Sequence, residues 1–226
     1  MIPRILEPEV MDTPEEARDY DAMDHAEVNR LFVSDLLEAM EDAGLEGSEQ
    51  VLDLGTGTAQ IPIEMCRQTE SPQKIIAVDL AGEMLKVAEE NVHQADLQQQ
   101  IKLELIDAKQ LPYEDEFFDV VMSNSIVHHI PEPLSVLAES FRVLSPGGLL
   151  FVRDLLRPDS QEQLDQLVEQ YAGGESDHAR KMFAESLHAA LTIEEVQELC
   201  ARIGMSDLEV TQTSDRHWTL NAFKTV

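Results

Sequence analysis

The sequence predicts a doubly wound α/β fold, in which a mostly parallel sheet is covered by helices on both faces. Short apolar runs of strand length alternate with helical segments between residues 51 and 155, a pattern typical of βαβ units. The first of these runs, VLDLG, ends in glycine. The chain closes with LEVTQTSD and HWTLNAFKT, two strand-like segments that predict a C-terminal antiparallel hairpin.

The individual elements are predicted from apolar spacing and from capping residues. Residues 24–43 repeat apolar side chains at helical spacing, with Asp24 and Glu27 as a capping-box pair and Gly44 as the stop. Strands are expected to begin at Val51, Lys74, Ile101, Phe117 and Gly147. Further helices are expected over 59–69, 82–94, 133–144, 161–170, 177–190 and 192–201.

The chain divides into an N-terminal segment and one α/β domain. Residues 1–21 contain three prolines and many acidic residues, and we expect an extended arm there. This arm and the helix after it make up residues 1–45. Residues 46–226 form the α/β domain, with a helical insert at about 157–191.

The composition argues against several classes of partner. The chain has 226 residues, of which 45 are acidic and 16 basic, and its net charge is −29. Nucleic acids and anionic membranes attract Lys and Arg, so we expect no nucleic-acid partner and no stable membrane association. No apolar run approaches the ~20 residues that span a bilayer. The N-terminus has no signal-peptide pattern, and we expect a cytoplasmic protein.

The turn after the first strand carries the most specific signal. Gly55 and Gly57 allow the backbone to turn sharply and to approach a ligand closely. A dinucleotide would place a pyrophosphate there, but Asp53 precedes the turn and residues 53–60 contain no Lys or Arg. An acidic strand end suits a ligand that has an ammonium and a sulfonium group and no phosphate, such as S-adenosylmethionine. The alternative is that Asp53 caps a local turn.

Two further carboxylates follow the next two strands. Asp79 ends the second strand, where a carboxylate accepts hydrogen bonds from ribose hydroxyls. Asp107 ends the third strand and is followed by Ala108, a place from which a carboxylate reaches the exocyclic amine of adenine. Asp107 could instead be a helix or turn cap. Three consecutive strands that each end in a carboxylate favour the ligand interpretation.

With these motifs the sequence resembles the class I S-adenosylmethionine-dependent methyltransferases. The matching segments are VLDLGTGTAQ, VDLAGEML, IDAKQLPYEDEFFDVV, SNSIVHHI and LSPGGLLFVRD. The resemblance implies a seven-stranded sheet of order 3-2-1-4-5-7-6. It assigns the cofactor-binding residues to three groups: Asp53, Gly55, Thr56 and Gly57 at the amino-acid end, Asp79 and Leu80 at the ribose, and Asp107 and Ala108 at the adenine. Met84 either packs near the adenine or belongs to the core.

The residues beyond the fourth strand are the candidates for catalysis and substrate binding. By the same resemblance, Ser123 and Asn124 face the methyl group and its acceptor, and the N-terminal segment forms a lid to which Tyr20 and His25 belong. His128 or His129 could serve as a general base, His129 being preferred, or could simply pack at a helix start. Arg153 either holds an anionic substrate or pairs with an acidic residue. No Asp with a following Asp-Asn pair appears, so no metal is expected.

The function predicted from the sequence is methyl transfer from S-adenosylmethionine to a small-molecule acceptor, with S-adenosylhomocysteine as the product. Three alternatives stay open. The first is C-methylation of a quinone-like ring, and the second is a non-catalytic protein that binds S-adenosylmethionine. The third, with the least support, is an NAD-dependent oxidoreductase.

Overall fold

The computed structural model describes residues 2–7, 12–45, 50–69 and 74–225. Its centre is a seven-stranded sheet of order β3-β2-β1-β4-β5-β7-β6, as the resemblance implied. The strands are β1 (Gln50–Leu54), β2 (Lys74–Asp79), β3 (Ile101–Leu105), β4 (Phe118–Asn124), β5 (Leu144–Leu155), β6 (Asp207–Gln212) and β7 (His217–Phe223). Strands β1 to β5 are parallel, whereas β7 pairs antiparallel with both β5 and β6.

Eight helices connect and cover these strands within the described residues. They are α1 (Pro14–Ala22), α2 (Ala26–Asp42), α3 (Gln60–Gln68), α4 (Gly82–Gln94), α5 (Leu134–Val143), α6 (Gln161–Ala172), α7 (Asp177–Ala189) and α8 (Ile193–Arg202). A 3₁₀ turn lies at Val127–His129. None of the described helices is both long and apolar enough to cross a bilayer.

The helices form two layers, one on each face of the sheet. Apolar side chains of α2, α3 and α4 pack on one face, against Val51, Val120 and Phe151 among others. Residues of α5 and α8 pack on the opposite face with Leu52, Val121 and Trp218. Because β1 to β5 run in the same direction, their carboxyl ends meet at one edge of the sheet, where a doubly wound fold binds its ligand.

The N-terminal segment differs from its prediction in two respects. Residues 14–22 form a helix rather than an extended arm, since the Thr13 hydroxyl accepts from the Glu16 amide and the Glu16 side chain accepts from the Thr13 amide. Asp24 is not the N-cap of α2, because that position belongs to His25. Met1 and residues 8–11 of the predicted arm lie outside the described residues, as do residues 46–49 at the predicted domain boundary.

The insert between β5 and α8 consists of two helices that pack on each other. Leu164 and Val168 of α6 share an apolar cluster with Leu187 of α7 and with Leu155. A parallel bridge between Leu156 and Leu191 joins the two ends of the insert. The insert is therefore an outgrowth on the end of β5, and its two ends are held together by backbone pairing.

The start of α8 provides the first testable prediction. Thr192 is buried and caps the helix, and its capping box with Glu195 is complete. We expect Thr192→Ala to lower the free energy of unfolding by about 1 kcal/mol, because the Glu195 amide loses its side-chain acceptor. Urea denaturation measures this change. Thr225→Ala, at an exposed position, is the control, and equal stability of the two variants would contradict the role of the cap.

Candidate active site

The turn after β1 brings the backbone unusually close to the turn after β4. Gly55 has φ +70°, and a Cβ atom added there would lie 2.1 Å from Cγ2 of Ile126. The Gly55 and Thr56 amides both donate to the carbonyl of Val78 at 2.9 Å. Gly57 has φ +54°, and its amide donates to Oδ2 of Asp79 at 2.8 Å. Glycine is needed at Gly55 both for the backbone angle and for the space.

A cleft opens over this turn at the carboxyl edge of the sheet. Ten of the residues expected at the site line it: Tyr20, Gly55, Gly57, Asp79, Leu80, Met84, Asp107, Ala108, Asn124 and His129. The residues come from four strand ends, the start of α4 and the helix α1. The structure thus brings together most of the residues assigned to the methyl donor, together with Asn124 and His129 from the proposed acceptor end.

Asp53 lies behind the lining rather than in it. Its carboxylate is buried, and Oδ2 has no hydrogen-bond partner among the described residues. Burial raises the pKa of Asp53 to about 7, and the neighbouring Asp79 carboxylate adds to the increase. An unpaired buried carboxylate is costly, so this group is suited to a cationic ligand at the glycine turn.

Asp79 and Asp107 each combine a local backbone role with a place in the cleft. Oδ1 of Asp79 accepts from the Ala81 amide at 2.8 Å, and burial raises the pKa of this carboxyl. Oδ1 of Asp107 accepts from the Lys109 amide at 2.9 Å and lies 3.0 Å from Nζ of Lys109. Both carboxylates therefore accept local backbone hydrogen bonds, as the cap interpretation of Asp107 predicted. This role does not exclude ligand binding because each oxygen can accept more than one hydrogen bond.

The helix α1 lies over the cleft as a cover. Tyr20 contributes its ring to the lining, and burial, reinforced by the carboxylates of Asp79 and Asp53, raises the pKa of its hydroxyl. Asp21 ties the helix down, since its Oδ1 accepts from Nε2 of Gln60 at 3.1 Å and from Nδ2 of Asn91 at 2.8 Å. The cover is thus held by side chains of α3 and α4.

The two histidines after β4 have different surroundings. His129 lines the cleft. His128 is buried, and its Nδ1 lies 2.5 Å from Oδ1 of Asp154. Burial by itself would lower the pKa of His128, but the Asp154 carboxylate outweighs burial and raises it. Of the two candidate bases, only His129 is in the part of the cleft that an acceptor could reach.

Four other predicted residues lie outside the lining. The Ser123 hydroxyl is buried and donates to the carbonyl of Leu54 in the neighbouring strand β1. It is therefore directed towards that strand and not into the cleft. Thr56 is buried beside the glycine turn. His25 packs its ring against Tyr20, with centroids 5.0 Å apart, and therefore supports the cover from outside the cleft.

Arg153 is the fourth, and it forms the pair with an acidic residue that was one of its two expected roles. Its guanidinium pairs with Asp35 of α2 at 2.6 Å and donates to Thr219 at 2.9 Å. Successive residues of β5 point to opposite faces, so Arg153 turns towards α2 whereas Asp154 turns towards His128.

Sequence reasoning missed several residues of the cleft wall. Each directly follows a recognised strand end or lies within three residues of a recognised site residue: Ala81, Ile106, Lys109, Ser125, Ile126 and Ile130. Position next to a recognised motif was the available signal for all of them. No residue of 157–191 is among the described lining residues of the cleft.

This sheet order, a glycine turn after β1 and carboxylates at the ends of β2 and β3 define a class I S-adenosylmethionine-dependent methyltransferase. Residues 45–212 match a family model described as a methyltransferase domain. The chain belongs to this family, and S-adenosylmethionine is the cofactor of its class.

Known relatives include small-molecule methyltransferases. 27-O-demethylrifamycin SV methyltransferase from Amycolatopsis mediterranei is 28% identical over 179 residues, 77% of this chain and 61% of that protein. Demethylmenaquinone methyltransferase from Listeria welshimeri is 34% identical over 142 residues, 62% of this chain and 59% of that protein. The chain thus spans about three fifths of the length of these relatives.

A solved structure supports the same fold. The SAM-dependent methyltransferase from Aquifex aeolicus superimposes with a TM-score of 0.68 over 94% of this chain and 98% of that chain, at 19% sequence identity. The match extends well beyond the glycine turn and includes almost the whole length of both chains.

Proposed function

We propose that this protein transfers the methyl group of S-adenosylmethionine to a small-molecule acceptor that binds beside Asn124 and His129. The observation that supports this most directly is the continuity of the cleft. It runs from the glycine turn and the carboxylates of Asp79 and Asp107 to Asn124 and His129. Donor and acceptor would therefore meet in one cleft, and alignment of the two is the main requirement of an in-line displacement.

The charges of the cleft fit the donor. No arginine is among its described lining residues, and Lys109 is paired with Asp107. The unpartnered Oδ2 of Asp53 lies behind the glycine turn, where the ammonium group of the cofactor is expected. Bound S-adenosylmethionine would supply an electrophilic methyl group on its sulfonium. An acidic site without a free cation favours this ligand over a dinucleotide, whose pyrophosphate would be repelled.

The acceptor end combines an apolar wall with a few polar groups. Ile126 and Ile130 line it together with the polar side chains of Asn124, Ser125 and His129. Such a lining suits a largely apolar molecule that presents one polar reacting atom. Tyr20 and the rest of α1 would cover the bound acceptor and keep water away from the methyl group.

A quinone-like ring is a second candidate acceptor. Demethylmenaquinone methyltransferase is among the relatives, at 34% identity, and the isoleucine wall is compatible with a flat apolar ring. This candidate predicts a new carbon–methyl bond, whereas a hydroxyl acceptor predicts an ether. Mass spectrometry of the product distinguishes the two after incubation with labelled methyl donor and a panel of quinols and phenols.

Calorimetric titration tests the proposed cofactor site. We expect S-adenosylmethionine and S-adenosylhomocysteine to bind with micromolar affinity and NAD not to bind. Asp107→Asn should weaken the binding of both adenosyl ligands roughly tenfold to a hundredfold. This factor corresponds to the loss of one hydrogen bond to a charged group. The substitution keeps the oxygen that accepts from the Lys109 amide, so the turn should survive.

The matched control is Asp42→Asn, an exposed carboxylate at the end of α2, which should leave affinity unchanged. Binding of NAD in place of the adenosyl ligands would overturn the proposal. So would equal affinities of the Asp107 and Asp42 variants. Binding without methyl transfer to any phenol, quinol or amine in the panel would favour a protein that binds S-adenosylmethionine without catalysis.

A further inference from the structure

The described N-terminal residues form a strap across the turn that carries the two histidines. The Arg4 guanidinium donates to the carbonyls of Ala189 at 2.7 Å and Ile130 at 2.9 Å. The Ile5 amide donates to the carbonyl of His188 at 3.0 Å. This strap, residues 2–7, is thus tied to the end of α7 and to the 3₁₀ turn, and it carries Glu7 to a place beside both histidines.

The Glu7 carboxylate converges with two imidazole rings. Its Oε1 lies 3.1 Å from Nδ1 of His129 and 3.5 Å from Nε2 of His128. One ligand atom from each of the three residues lies within 4.8 Å of the other two. The Glu7 side chain is nine-tenths buried, and both contacts of its Oε1 are with imidazole nitrogens, the atom type that binds zinc in proteins.

The surroundings hold His128 in the orientation of a metal ligand. Its Nδ1 is engaged by Oδ1 of Asp154 at 2.5 Å, which directs Nε2 towards Glu7. Asp154 is itself held, because its Oδ2 accepts from the Val127 amide at 2.6 Å. A carboxylate that orients the second ring nitrogen is the usual partner of a metal-bound histidine. On the other side, the Ser186 hydroxyl donates to Oε2 of Glu7, so Oε1 is the oxygen that faces the two imidazole rings.

We propose that Glu7, His128 and His129 form a three-ligand site for a divalent transition-metal ion. Two imidazoles and one carboxylate are a ligand set that binds zinc in catalytic sites and also suits other borderline metals. Bonds of 2.0–2.2 Å in tetrahedral geometry put ligand atoms about 3.4 Å apart, close to the two distances from Glu7. Two carboxylates, Glu7 and Asp154, offset the charge of the ion.

The position of the site would allow the ion a catalytic role. His129 lines the cleft, so an ion held by this residue would lie beside the proposed acceptor site. A metal there would bind an acceptor oxygen and favour its deprotonated form. His129 would then act as a ligand instead of the general base expected from the sequence. This catalytic use rests on the proposed methyl transfer, whereas metal binding itself does not.

Sequence spacing could not reveal this site. The two histidines are adjacent in the chain, and the third ligand lies about 120 residues away in a segment with no recognisable motif. The expectation of no metal rested on the absence of an Asp with a following Asp-Asn pair. The strap supplies the missing carboxylate through tertiary structure.

Titration of the full chain, freed of metal with a chelator and then dialysed, tests the site. We expect Co²⁺ to bind with one ion per chain and to show the intense visible absorption of a tetrahedral complex, and Zn²⁺ to displace it. Glu7→Gln and His129→Gln should each weaken Zn²⁺ binding at least about tenfold. Glu162→Gln and His93→Gln, at exposed positions, are the matched controls and should bind as the wild type.

Absence of saturable metal binding would overturn the proposal. It would indicate that protons, and not a metal ion, neutralise the charge of the Glu7 and Asp154 carboxylates. Equal Zn²⁺ affinity of the Glu7 and Glu162 variants would also overturn it. Calorimetry with S-adenosylhomocysteine on the same samples separates this outcome from failure of the proposed function. If Glu7→Gln binds S-adenosylhomocysteine normally but no longer binds Zn²⁺, the metal site is distinct from the cofactor site.

Discussion

Gly55→Ala is expected to abolish measurable binding of S-adenosylmethionine and to lower the free energy of unfolding by roughly 2–4 kcal/mol. The new methyl group would lie 2.1 Å from Cγ2 of Ile126, and the residue would have to keep φ +70°. The backbone of both turns must therefore shift, and the proposed cofactor site is built from those turns. Calorimetric titration and urea denaturation measure the two effects.

Gly44→Ala separates the two causes. Gly44 has φ +71° and nothing within 4 Å of an added Cβ atom, so this variant should show only the conformational cost, about 1 kcal/mol. Its affinity for the cofactor should be that of the wild type. If the two alanine variants were equally stable, close packing against Ile126 would not be the reason for glycine at Gly55.

The second large effect is expected from Asp53→Asn. This substitution should stabilise the protein at pH 8 and weaken its binding of the cofactor. The buried carboxyl has a pKa of about 7, raised by burial, and its Oδ2 is unpartnered. Above pH 7 the folded protein therefore keeps a buried charge without a partner. The neutral amide removes this cost, roughly 2–4 kcal/mol, but it also removes the charge that would bind the ammonium group.

The pH dependence has a definite sign. In the unfolded chain the Asp53 carboxyl ionises near its ordinary value of 3.8, whereas in the folded chain it ionises near 7. As pH rises from about 4 to 7, only the unfolded state gains from ionisation, so the free energy of unfolding falls. The stability advantage of Asp53→Asn should be small at pH 4.5, grow with pH and level off above pH 7.

Urea denaturation of wild type and variant at several pH values measures this difference directly. Other titrating groups cancel when the two proteins are compared at the same pH. A constant difference between pH 4.5 and 8 would show that burial does not raise the pKa of Asp53. Asp42→Asn is again the exposed control. In parallel, S-adenosylmethionine should bind wild type more weakly below pH 7, and this pH effect should vanish in Asp53→Asn.

The helix α1 shows where a local signal existed and was overlooked. Thr13, Pro14 and Glu16 form a recognisable helix start in the sequence. The prolines and acids of the same segment favoured an extended arm instead. The helix is only weakly amphipathic. It is stabilised by the packing of Ala17 and Tyr20 on Ala81 and Met84 of the α/β domain.

The sequence by itself determined the class of fold, the strand order by resemblance, the glycine turn and the carboxylates of the cofactor site. These features depend on short contiguous motifs, in which a strand end, a turn and a helix start follow one another within a few residues. The periodicity of apolar residues and the chemistry of the turn are enough to place them.

Only the tertiary structure decided which side chains face the cleft and which partners they meet. Ser123 and Asn124 are neighbours, yet one points between strands and the other into the cleft. Arg153 meets Asp35, and Glu7 meets His128 and His129, across more than one hundred residues of chain in each case. The physical reason is that strand register and helix packing set the direction of a side chain, and these depend on contacts between distant segments that no local pattern encodes.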